Sequence, residues 1–182
     1  IARFTPAGRR VSMLEVPAPL GDVSRYSKPH YGIEAVAFHP ELGVVAAPMR
    51  PLKERSEDRH EIFSTSGVTL ALAPHPQGNG KLKAIEVLPD GRLMVLDRLP
   101  RQLGDQRTAA LRLVDPRRCD QGGQCTVAEL GTSSQKLPDA NFEGLAAIGN
   151  EMWLAVSDDT DGEQRKSQFV LFKLTLEGAM KD

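Results

Sequence analysis

Apolar residues fall in short paired runs along the chain, and each pair is separated by a tight turn. Ile33-Glu34-Ala35-Val36-Ala37-Phe38 leads through Pro40-Glu41 into Val44-Val45-Ala46-Ala47. Lys83-Ala84-Ile85-Glu86-Val87 leads through Pro89-Asp90-Gly91 into Leu93-Met94-Val95-Leu96. Phe142-Glu143-Gly144-Leu145-Ala146 leads through Gly149-Asn150 into Trp153-Leu154-Ala155-Val156. Two apolar strands around such a turn make a β-hairpin. Hairpins recurring about 40 to 60 residues apart predict an all-β fold, a β-propeller with one hairpin per blade.

A second landmark keeps step with the first. About 28 residues into each repeat comes a short strand carrying a basic residue among apolar ones. It is Leu111-Arg112-Leu113-Val114-Asp115 after the second hairpin and Leu171-Phe172-Lys173-Leu174 after the third. The matching place after the first hairpin is Glu61-Ile62-Phe63-Ser64, and Ala2-Arg3-Phe4 aligns with the same element. Fourth strands are expected at Val11 to Val16, Thr69 to Leu72 and Thr126 to Leu130. The pattern therefore predicts blades of four antiparallel strands, about three of them, plus the outer strands of a preceding blade. Closed propellers take typically four to eight blades. Residues 1–182 are thus expected to be the C-terminal part of a single larger propeller domain, with N-terminal blades of the same protein as its partners.

Composition narrows the partners. Charged residues make up 26% and the formal net charge is −1, so no global basic field attracts nucleic acid. The chain holds one Trp, two Tyr and six Phe, with no basic stripe among them, and nucleic acid is not an expected partner. Gly67 to Ala73, the longest apolar stretch, is far short of the ~20 residues that span a bilayer, so no membrane span is expected. Thirteen prolines and sixteen glycines suit a fold of many turns. Pro51 to Asp58 and Leu99 to Thr108 read as solvated connections between second and third strands.

Cys119 and Cys125 flank Gly122-Gly123, which lets the chain fold back so that the sulfurs meet as a hairpin staple. Closing so small a loop stabilises by roughly 2 kcal/mol on the chain-entropy estimate. A metal-binding pair and two unconnected thiols are the alternatives; no second Cys or His cluster accompanies the pair. A disulfide points to an oxidising compartment, the periplasm or the cell exterior.

Three residues occupy equivalent places at the start of the innermost strands: Glu34, Lys83 and Glu143. Such positions converge around a propeller's channel. Two carboxylates and an ammonium brought together hold a cation or shift one another's pKa; alternatively the carboxylates accept backbone N–H bonds and lock the ring. Second strands end in Pro48-Met49, Asp97-Arg98 and Ser157-Asp158-Asp159. With Asp161 and Glu163, the last of these forms the densest acidic cluster, a source of the six to eight oxygen ligands that Ca²⁺ takes, or else a solvated turn. Its spacing is not that of an EF-hand. His30, His39, His60 and His75 lack zinc-site spacing, and no G-x-S-x-G motif supports serine-hydrolase chemistry.

Taken in order, Tyr31-Gly-Ile-Glu-Ala-Val-Ala37, Leu82 to Arg98, Asn141-Phe-Glu-Gly-Leu-Ala146, Ser157-Asp-Asp159 and Gln168 to Leu174 resemble the phytase-like propeller family, labelled "esterase-like activity of phytase". Tyr31-Gly32 and Pro48-Met49 depart from its usual pattern. The resemblance implies a secreted or periplasmic propeller that hydrolyses a small phosphoester or ester, with calcium assisting. Glu34 and Glu143 match the recurring glutamate, and Asp158 the S-D-[DN] element. On that basis Glu34, Glu143, Lys83 and Arg98 are candidate catalytic residues. Glu34, Glu143, Asp158 and Asp159 are candidate calcium ligands, and Lys83, Arg98 and Arg165 candidate phosphate clamps. The alternatives are a non-catalytic propeller that binds a protein or glycan, and a lactonase-like enzyme with one channel metal.

Overall fold

Along Leu93-Met94-Val95-Leu96, consecutive side chains enter two different cores, which is why the run is apolar throughout rather than alternating. Leu93 and Val95 face one neighbouring blade, Met94 and Leu96 the other, as the two-residue period of a strand requires. The computed structural model describes residues 1–28, 30–57, 59–78, 80–99, 108–132, 140–149, 151–158 and 167–176.

The described elements are strands apart from one 3-10 turn, Val23–Arg25. An N-terminal pair, β1 (Ala2–Phe4) and β2 (Arg10–Met13), is antiparallel and stands apart as its own two-stranded sheet. The first blade contains β3 (Ile33–His39), β4 (Gly43–Pro48), β5 (His60–Ser64) and β6 (Thr69–Leu72). The second contains β7 (Lys81–Val87), β8 (Leu93–Arg98), β9 (Ala109–Cys119) and β10 (Gln124–Thr132). A third contributes β11 (Asn141–Gly149), β12 (Met152–Asp158) and β13 (Gln168–Lys173). Within each blade the neighbours pair antiparallel in chain order. Innermost strands β3, β7 and β11 lie side by side without sharing a ladder. The arrangement is an arc of propeller blades with the outer strands of a preceding one.

One connection was not foreseen from the repeat. The outermost strands β6 and β10 pair in parallel through Gln124↔Ala71 and Cys125↔Leu72, fusing two blades into an eight-stranded sheet. The Cys119–Cys125 disulfide sits at this seam. Gly123 makes the approach possible: its φ is 78°, and a Cβ there would lie 2.3 Å from the Thr69 carbonyl oxygen.

Three apolar clusters hold the arc. Ala35, Val45, Ile62 and Leu70 pack on Leu82, Ile85, Val95 and Val114 between the first two blades. Ala84, Met94 and Leu113 pack on Phe142, Leu145 and Trp153 between the second and third. On the other face of the first blade, Ala46 and Phe63 meet Leu20, Tyr26 and Leu52. The stretch read as a solvated loop from Pro51 is therefore anchored, because Leu52 is buried; Asp58 lies outside the described residues. In the second such stretch Leu99 is buried and Thr108 half-buried, and 100–107 lie outside the described residues.

The two basic residues that align in the third strands have opposite fates. Lys173 is exposed and pairs with Glu151 at 3.2 Å. Arg112 is fully buried. It donates to Asp97 (2.9 Å), to Glu129 (3.0 Å) and to the Ala73 carbonyl of the first blade.

Candidate functional site

Glu34, Lys83 and Glu143 each sit at a break in hairpin register. The irregularity falls between Ile33 and Ala35 in the first hairpin, Leu82 and Ala84 in the second, and Phe142 and Gly144 in the third. A bulge leaves one residue out of the ladder and re-aims its side chain, a device common beside active sites. Here it recurs at the same place in three successive blades.

The consequence is convergence. Lys83 Nζ, on a side chain 3% exposed, donates to Glu143 Oε2 at 2.5 Å and also to Glu34 Oε1. Asn141 Nδ2 donates to Glu143 Oε1 at 2.5 Å and to Asp158 Oδ1. Arg98 Nη1 donates to the Asn141 side-chain oxygen and lies 3.7 Å from Glu143 Oε1. Five residues singled out from the sequence, Glu34, Lys83, Arg98, Glu143 and Asp158, thus occupy one cluster drawn from three blades. Asp159 and Arg165 lie outside the described residues, as do Asp161 and Glu163.

Asn141 was not singled out by sequence reasoning, although it is buried and touches three members of the cluster. The available signal was its place two residues before Glu143, on the same side of β11. Asp97 departs from the expected symmetry. Adjacent to Arg98, it points the other way, into the blade and onto Arg112.

Burial pushes the Glu143 carboxyl above the ordinary glutamate range. The hydrogen bond and charge of Lys83 pull it back, and the charges of Asp158 and Glu34 push it up again. Lys81, two residues before Lys83 and paired across the sheet with Arg98, is lowered by burial and then by the positive charges of Arg98, Lys83 and Arg50.

Whether these side chains suit calcium is decided by Lys83. Its ammonium occupies the space between Glu34 and Glu143 where a bridging cation would sit. The Asn141 oxygen is turned to Arg98, and its amide N–H groups, not its oxygen, face the carboxylates. Among the described residues no group of three or more His, Cys, Asp or Glu side chains is placed to hold a metal ion. As arranged, Glu34, Glu143 and Asp158 do not by themselves form a calcium shell; Asp159, the fourth expected ligand, lies outside the described residues.

The histidines stand elsewhere. His39 accepts from the Glu41 and Leu42 amides at Nδ1, and its Nε2–H faces the Gly91 carbonyl at 2.9 Å, so it closes a turn. His75 Nε2 lies 3.3 Å from Glu129. His60 is buried with Nε2 3.9 Å from Asp97 Oδ1, and neither atom has a hydrogen-bond partner among the described residues. His30 packs edge-on to Tyr31.

No curated protein and no solved structure matches the chain. A family model does: Phytase-like, described as esterase-like activity of phytase, matches residues 1–161. With its repeated bulged hairpins and most of its length covered by that model, the chain belongs to the phytase-like family.

Proposed function

We propose that the Glu34–Lys83–Glu143–Arg98–Asp158 cluster is a hydrolytic site for a small phosphoester or ester. The observation that carries this reading is Glu143: a half-buried carboxyl with a raised pKa, hydrogen-bonded to an ammonium and close to a guanidinium. A carboxylate tuned upward is a competent general base near neutral pH. In the reaction, water attacks the phosphorus or acyl carbon while its proton passes to Glu143. The bond to the leaving oxygen then breaks, and that oxygen takes the proton from Glu143. Lys83 and Arg98 hold the oxyanion that gains charge. Asn141, itself held by Asp158, orients Glu143 from its other oxygen. No step uses calcium, because the ammonium of Lys83 supplies the positive charge at that point.

A second reading is favoured by one observation. Every member of the cluster is already paired with another member or with Asn141, as in a clasp that locks adjacent innermost strands. On that reading the propeller binds a protein or glycan without catalysis. Release of p-nitrophenol from p-nitrophenyl phosphate or acetate by the purified chain separates the two. Turnover that falls at least about a hundredfold in Glu143→Gln supports hydrolysis; turnover equal to that of the variant supports the clasp.

In this reading the protein works in the periplasm or outside the cell, where the Cys119–Cys125 bond persists. Further blades of the same domain cover the apolar faces left exposed on β3 (Val36, Phe38) and β13 (Phe169, Leu171).

A further inference from the structure

Lys53, Lys83 and Lys173 each have oxygen for their ammonium groups: the Ser24 carbonyl, the Glu34 and Glu143 carboxylates, and Glu151. Lys81 has no such partner among the described residues. Across the sheet it faces Arg98, and Lys83 follows two positions later on β7. Its Nζ lies 5.3 Å from the centre of the Tyr31 ring, which also carries Lys28 at 5.4 Å. The charges that act on it are those of Arg98, Lys83 and Arg50.

This crowding is built into the backbone. Gly80 brings the start of β7 so close to the end of β8 that a Cβ there would lie 2.0 Å from the Arg98 carbonyl oxygen. Lys81 and Arg98 then pair across the ladder, and like charges directly opposite one another destabilise a sheet. Lys81 is half-buried, so its amine is reachable from solvent yet incompletely hydrated. Burial is the first cause of its lowered pKa, and the neighbouring cations lower it further. Desolvation beside other positive groups is how a lysine amine becomes a nucleophile.

We propose that Lys81 is a carbamylation site, whose side-chain amine adds carbon dioxide reversibly to give an N-carboxylate. The nitrogen lone pair attacks the carbon of carbon dioxide and an N–C bond forms. One C=O electron pair moves onto oxygen, and the nitrogen gives a proton to water. The product carries a negative charge where an ammonium stood. Arg98 and Arg50, which oppose the ammonium, stabilise the carbamate instead. Arg98 spends Nη1 on Asn141 and keeps further N–H donors for a planar carboxylate. An aldehyde would gain nothing from this setting, because its imine is neutral or cationic; the surrounding charges select the anionic adduct. The modification is independent of Glu143 and requires no hydrolysis.

NMR of the purified chain equilibrated with bicarbonate enriched in the heavy carbon isotope tests it, with triethyloxonium alkylation and peptide mass mapping to locate the adduct. One carbamate per chain is expected at Lys81, besides any on the N-terminal amine of Ile1. Lys81→Arg should abolish it, and Lys28→Gln should retain it. Arg98→Gln should lower its occupancy severalfold, since the carbamate loses a counter-ion and the amine returns toward its protonated form. Far-UV circular dichroism confirms that each variant is folded; if Arg98→Gln is not, Arg50→Gln takes its place, with occupancy moving in the same direction. The proposal is overturned if no carbamate forms, or if the adduct maps only to Ile1 or Lys28. It is equally overturned if removal of the neighbouring guanidinium leaves the occupancy of Lys81 unchanged or raises it.

Discussion

Arg112 Nη1 donates to Asp97 Oδ2 at 2.9 Å, and the two side chains are 0% and 1% exposed. A buried pair of this kind is costly to half-dismantle, because the charge left behind has neither water nor partner. Arg112→Leu is expected to destabilise the chain by about 3–5 kcal/mol. Adding Asp97→Ala should recover a large part of that loss. Urea unfolding of the two single variants and the double variant measures the coupling; simply additive losses would refute the pairing.

Next to that pair, His60 is buried and its pKa is lowered chiefly by desolvation. A histidine with a depressed folded-state pKa contributes stability that is present above its ordinary value of 6.5 and lost as pH falls through the lowered one. Melting temperature should therefore decline on acidification below that value. His60→Gln should flatten this part of the profile. An identical slope in both proteins removes His60 as the cause.

Lys83 stands where a cation would bridge two carboxylates. Lys83→Met leaves Glu34 and Glu143 facing each other without it, a geometry that attracts hard divalent ions. Calcium should raise the melting temperature of Lys83→Met by several degrees more than that of the native protein. Equal shifts in both would mean that Lys83 does not fill that role.

The charge of Asp158 helps hold the Glu143 carboxyl above its usual range. In Asp158→Asn the amide oxygen still accepts from Asn141, but that charge is gone. If Glu143 is the base, the acidic limb of the activity profile should move to lower pH. A limb that stays put, or rises, points to a different titrating group.

Cys119 and Cys125 close a small loop across the β9–β10 turn. Cys119→Ser with Cys125→Ser should cost about 2 kcal/mol. In denaturant the native chain treated with reductant should fall to the same midpoint. No change on reduction would show that the bond adds nothing to stability.

Much of the architecture could be read from the chain because hairpins are local. The apolar pair Ile62-Phe63, the apolar run from Leu93 to Leu96 and the turn glycines each encode their strand within a few residues. Repetition then placed Glu34, Lys83 and Glu143 in equivalent positions, and their meeting followed from the radial order of blades. What a side chain faces across a blade boundary is a different matter. Arg112 and Lys173 align in sequence, yet one is buried as a clasp and the other is solvated, since the surroundings of each come from residues distant in the chain.

The amino-acid order by itself determined the strands, the turns and the likeness of one blade to the next, all set by short-range patterning and backbone preference. Only the tertiary structure decided the register breaks at the three channel positions, the recruitment of Asn141, the parallel seam between β6 and β10, and the crowding of positive charge around Lys81. These depend on how separate blades pack, and packing is a property of surfaces that no single segment contains.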